Sequence, residues 1–228
     1  MDFVHWLRQL EFGYLIELLV TVAASILCIT VHETCHGLLA FWMGDDTAKK
    51  QGRLTLNPLH HVDLMGLAMM AFVRFGWARP VPIDMRKFRA PKIGMALTAA
   101  AGPVSNILLA LLAMTIRAVC FPFYIASNTA VWEYAMLFLE FIVILSSGLA
   151  VFNLFPIPPL DGSKVLFSLL PNRWYWKLMR YERYGFLLLT ALLLFGVLDS
   201  SLFYLRDGLI RILSFATDPI YYFVSTLV

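Results

Sequence analysis

Residues 18–43 read Leu-Leu-Val-Thr-Val-Ala-Ala-Ser-Ile-Leu-Cys-Ile-Thr-Val-His32-Glu33-Thr34-Cys35-His36-Gly-Leu-Leu-Ala-Phe-Trp-Met. Glu33 is the one Asp, Glu, Lys or Arg in that stretch. About 20 apolar residues suffice for a helix to cross a bilayer. The stretch therefore reads as a membrane helix with a polar group of three in its second half. Ionisable side chains at that depth are costly unless they pair, bind metal or line water.

The spacing favours a metal over three polar groups merely satisfied inside a bundle. On a helix, positions i and i+4 share a face, and i+1 lies within reach of it. His32 and His36 can thus face one Zn²⁺, while Glu33 reaches a water beside it rather than the ion itself. This is the HExxH pattern of zinc peptidases. Cys35 lies about 100° off that face at about 100° per residue, and reads as a packed core cysteine.

The rest of the chain agrees with a membrane setting. Of 228 residues, 60% are hydrophobic and 14% charged, against about 45–50% and about 25% in soluble domains. That excludes a disordered chain and argues against an ordinary soluble enzyme. Lys and Arg number 18 and Asp and Glu 15, a net charge of +3, too small to argue for nucleic acid. Cys28, Cys35 and Cys120 are odd in number and sit in apolar runs, which argues against a disulfide framework. Residues 1–17 show no basic n-region or small-residue cleavage site, so no cleaved signal peptide is expected.

Charge-free runs suggest an all-α polytopic fold of five to six transmembrane helices. Long helices are expected at about 14–43, 93–119, 131–154 and 184–198, with further ones at about 64–74 and 203–226. The whole, 1–228, reads as one membrane-embedded domain with its core at 14–165 and C-terminal helices over 184–226. Residues 44–92 hold nine of the 18 basic residues, and residues 160–183 hold five more. Positive charge favours the cytoplasmic side, so both segments read as cytoplasmic and 120–132 as outside. Within 44–92, residues 51–56 (Gln-Gly-Arg-Leu-Thr-Leu) alternate polar and apolar and suggest a short β-hairpin or strand, ended by Asn57-Pro58. Such a strand could accept an unwound substrate segment by strand addition.

Catalytic zinc usually has three protein ligands. Only His5, His32, His36, His60 and His61 are available as histidines. His60 and His61 are adjacent, point apart and make poor joint ligands. The strongest third candidate is Asp161. It follows Pro156, Pro158 and Pro159, which break the helix ending near residue 154. An unwound segment at membrane depth is tolerated where it is buried in protein or lines a cavity. The positive-inside reading brings His32, His36, Asp161 and the Gly102-Pro103-Val-Ser-Asn106 segment to one depth. Arg117 reads as snorkelling to the outer interface. Trp174, Tyr175, Trp176 and Tyr181, interleaved with Arg173, Lys177 and Arg180, read as an interfacial helix.

HETCH, AGPVSN (101–106) and FNLFPIPPLDG (152–162) resemble, in order, the three signature segments of the site-2 protease family of intramembrane zinc proteases. GRLTLNPLHHVD (52–63) and FGWARPVP (75–82) are similar to segments of its small single-module prokaryotic members. The resemblance covers most of residues 20–175. It implies one Zn²⁺ per chain held by His32, His36 and Asp161, Glu33 as general base, and Asn153 as a polar helper in the site. It further implies an endopeptidase cutting the transmembrane segment of membrane-protein substrates in a prokaryotic inner membrane, and the positive-inside reading puts the site towards the cytoplasm. Thr34, Cys35, His60 and Leu64 depart from the family pattern without touching a proposed ligand. A membrane metal-binding or transport protein using the same ligands without hydrolysis is the competing reading.

Overall fold

A computed structural model describes residues 12–61, 63, 66, 79–127 and 129–227. Its helices are α1 (Phe12–Trp42), α2 (Thr47–Lys50), α3 (Pro91–Ser127), α4 (Ala130–Leu154), α5 (Asp161–Ser168), α6 (Asn172–Leu194) and α7 (Asp199–Ser225), with 3-10 turns at Pro58–His60 and Met85–Lys87.

Long apolar runs make α1, α3 and α4. At 31 residues and about 1.5 Å per residue, α1 is about 46 Å long. That exceeds the roughly 30 Å hydrocarbon core of a bilayer. All three are long and apolar enough to cross a membrane. Gly44, at φ +112°, stops α1. The Asp45 N–H reaches back to Ala40 O at 2.9 Å and the Gly44 N–H to Phe41 O at 3.1 Å. This is the Schellman pattern, which favours glycine because its backbone turns left-handed. Pro91 opens α3, where its missing N–H costs no bond. Pro156 follows shortly after α4 and prevents its continuation.

α3 is the central helix, packed against α1, α4, α5 and α7. Ala24 and Cys28 of α1, Ala113 of α3, and Ile142 and Val143 of α4 form a buried cluster among the three. Small residues there let the backbones approach, which is how helices associate where lipid supplies no hydrophobic drive. Ser146 donates to Cys28 Sγ at 3.1 Å, so the cysteine is a packed structural one.

Two expectations need correction. The charge-free runs suggest five to six spans; among the described residues three helices qualify, or four if α6 and α7 form one broken span, since they meet at 89°. Residues 120–127, expected in the outside loop, extend α3 through Pro122. α6 begins at Asn172 and absorbs the interfacial aromatic-basic stretch, and α7 carries Asp199, Arg206, Asp207, Arg211 and Asp218. The helix expected at 64–74 lies largely outside the described residues.

The second correction is the β-hairpin at 51–56, which is a succession of turns and bends. After α2 the N–H groups of Gln51, Gly52 and Arg53 fold back onto Thr47, Lys49 and Ala48. The Thr55 carbonyl accepts from Thr34 Oγ1 at 2.9 Å and lies 2.8 Å from His61 Nε2. Side chains, not a partner strand, take these backbone groups. His61 is fully buried in that role.

Arg117, read as snorkelling to the outer interface, also has a partner on the neighbouring helix. Its Nη2 lies 3.1 Å from Glu140 Oε2, an α3–α4 ion pair.

Candidate metal centre

α1 presents His32 and His36 one turn apart. Their Nε2 atoms lie 3.0 Å from each other. Asp161, the first residue of α5, brings Oδ2 to 3.3 Å from His32 Nε2 and 3.1 Å from His36 Nε2. The three residues are buried and their donor atoms all fall within 4.8 Å. With zinc–ligand bonds of about 2.0–2.2 Å, the edges of a tetrahedron around the ion are about 3.3–3.6 Å. The observed separations are close to such edges.

The protons also fit. A carbonyl can only accept, so His36 Nδ1, 2.7 Å from Thr98 O, carries the hydrogen. The neutral ring then leaves Nε2 bare. His32 Nδ1 lies 3.1 Å from the Asn106 side-chain amide nitrogen, while Asn106 Oδ1 is buried without a partner. Amide orientations are assigned from hydrogen bonding. Turning this one over lets Oδ1 accept from His32 Nδ1–H and leaves Nε2 bare there too. Outer hydrogen bonds of this kind accompany metal-ligating histidines.

Gly102 explains why the central helix can pass so close. A Cβ there would sit 2.5 Å from the Cε1 atoms of both imidazoles and from His36 Nε2. Any side chain would push α3 off the rings.

The nearby charge of Lys164 favours the ionised Asp161 carboxylate that ligation needs. Lys164 Nζ is 3.8 Å from Asp161 Oδ1 and 3.8 Å from Glu182 Oε1.

A cavity of about 160 Å³ opens on the centre, lined among others by Glu33, Val81, Asn153, Asp161 and Lys164. Glu33 stands outside the donor set and accepts from the Val81 N–H at 2.9 Å. Asn153 Nδ2 donates to Leu149 O of its own helix at 3.0 Å, so one of its hydrogens serves the helix while the side chain faces the cavity. Cys35 does not join the donor set. His60 is exposed and His61 belongs to the loop.

The structure brings His32, Glu33, His36 and Asp161, read from local patterns, and Asn153, implied by the family resemblance, around one cavity. Local patterns miss Thr98, Val81 and Lys164. Of these only Lys164 has a readable signal, lying i+3 from Asp161 on one helix face.

Bilayer-length helices around a buried two-His, one-carboxylate donor set define a helical membrane protein of the metallohydrolase type. Comparison with known proteins narrows this. The profile of Peptidase family M50 matches residues 114–196. "Putative zinc metalloprotease YwhC" of Bacillus subtilis (strain 168) is 35% identical over 211 residues, spanning 87% of this chain and 93% of that protein. "Putative zinc metalloprotease Rip2" of Mycolicibacterium smegmatis is 27% identical over 197 residues, spanning 84% of this chain and 73% of that protein. No solved structure gives a significant match. The chain belongs to peptidase family M50 and is a zinc-dependent peptide hydrolase.

Proposed function

We propose that this protein is an intramembrane endopeptidase that binds one zinc ion through His32, His36 and Asp161 and cuts peptide bonds within or near a substrate's transmembrane segment. The observation that carries the reading is the placement of Glu33 in the same small cavity as the three converging donors, restrained by the Val81 N–H.

When bound, zinc supplies Lewis acidity and a water acidic enough to be deprotonated near neutral pH. Glu33 takes that proton through its carboxylate and later delivers it to the leaving amine. The Val81 hydrogen bond fixes one carboxylate oxygen and leaves the other for the proton. Thr98 and Asn106 hold the imidazoles in the tautomer that ligation needs. Asn153 offers its second amide hydrogen toward the cavity, where negative charge develops on the scissile carbonyl. A peptide in a helix is shielded by its own hydrogen bonds, so the substrate unwinds locally before it reaches Glu33.

The basic residues of 44–92 and 160–183 support a site facing the cytoplasm of a prokaryotic inner membrane. Family membership favours hydrolysis over metal transport with the same ligands. The deciding experiment compares purified wild type with Glu33→Gln in detergent on candidate single-span substrates. Cleavage that is lost in Glu33→Gln and in chelator, with zinc retained by the variant, supports the proposal. Equal function of wild type and variant sinks it.

A further inference from the structure

We infer a second site, for a phosphate-type anion, in the pocket formed by Arg53, Arg79 and His60 beside the loop 79–84; its favoured occupant is the headgroup phosphate of an anionic lipid. The pocket holds about 240 Å³ and is also lined by Gln51, Leu59, Pro80 and Pro82. Drug-sized ligands take about 300–1,000 Å³, so this one suits a small charged group.

The pocket lining carries two arginines and no carboxylate among the described residues; Glu33, in the neighbouring cavity, is the acid that acts on Arg53. Neither Arg53 nor Arg79 forms an ion pair with a carboxylate among the described residues, and residues 62–78 contain no acid besides Asp63. Asp63 instead accepts from the Gly66 N–H at 2.9 Å. Arg53 is 6% exposed. Its Nη2 donates to the carbonyls of Arg79 at 2.6 Å and Pro80 at 2.9 Å. Those bonds use one nitrogen of the guanidinium, which has five N–H donors in all. Burial, and then the like charge of Arg79, pull the Arg53 guanidinium below its ordinary value. Two guanidinium groups that repel across a polar pocket are both relieved by one anion. A bidentate fork matches phosphate geometry.

The surroundings favour a lipid over free phosphate. Leu56 and Leu59 on the same loop are 67% and 82% exposed. Exposed apolar side chains flanking a basic pocket suit acyl chains beside a headgroup phosphate. The site also reaches the peptidase centre. Arg53 holds the Arg79 and Pro80 carbonyls, and the next N–H, that of Val81, is the donor to Glu33.

The test measures binding, so it succeeds or fails independently of cleavage. The full chain in detergent is given phosphatidylglycerol, phosphatidylcholine or inorganic phosphate. Lipid retention is read by native mass spectrometry and anion binding by thermal shift. The expected result is preferential retention of phosphatidylglycerol, weakened about tenfold or more in Arg79→Gln by loss of charged hydrogen bonds. Arg53→Lys, which keeps the charge and loses the fork, should weaken it too. Lys49→Gln, outside the pocket, should not. Stabilisation by inorganic phosphate that is lost in Arg79→Gln, without a lipid preference, keeps the anion site but makes its source soluble. Equal retention of both lipids with no phosphate effect, or a preference unchanged in Arg79→Gln, overturns the inference.

Discussion

The Val81 backbone N–H donates to Glu33 Oε2 at 2.9 Å. A glutamine at residue 33 can keep that bond through its amide oxygen but cannot take up a proton. Glu33→Gln is therefore expected to fold, to retain zinc, and to lose about 10²–10⁴ of the cleavage rate. Single-turnover cleavage together with metal analysis on one preparation checks this. A variant that loses zinc as well would show that Glu33 is needed for the donor set rather than for proton transfer.

Gly102 passes so close to both imidazoles that even a methyl group displaces them. Gly102→Ala is expected to cost about 1–3 kcal/mol in stability from overpacking and to reduce zinc content sharply. Metal analysis and a melting curve are the readouts. Normal zinc loading in this variant would mean that α3 can shift without disturbing the rings.

Asn106 supports His32, and the support needs an acceptor facing Nδ1. Asn106→Ala should weaken zinc binding about 10–100-fold, measured by competition with a chelator of known affinity. Asn106→Asp offers only acceptors and should bind at least as tightly as wild type. If the aspartate variant binds zinc as weakly as the alanine variant, the tautomer assignment is wrong.

Arg117 and Glu140 form an ion pair between two helices of bilayer length. With the pair facing lipid, removing one partner leaves the other charged group unpaired in an apolar medium, at greater cost than removing both. Arg117→Met should lower the melting temperature more than the double variant Arg117→Met/Glu140→Met does. A double variant less stable than either single one would indicate that the two side chains contribute by packing instead.

Much of the centre can be read locally. The His32–His36 spacing needs only helix geometry, and the prolines before Asp161 mark a break by their chemistry. What escapes is set by how elements rotate against each other. No local pattern says that Val81 meets Glu33 or that the Thr98 carbonyl faces His36. The β-hairpin fails for a related reason. The alternation at 51–56 is real, but Arg53 and His61 turn inward to tie the loop to its neighbours. Among the described residues fewer spans are found than expected, in part because hydropathy does not register the 89° bend between α6 and α7.

The donor set is divided between α1, near one end of the chain, and α5, beyond the connection that joins α3 to α4. Metal loading is therefore a report on assembly. Two fragments separated at that connection and expressed together would each hold an incomplete set. They would take up zinc tightly only after the halves had found one another, so the ion becomes a label for reconstitution in the membrane.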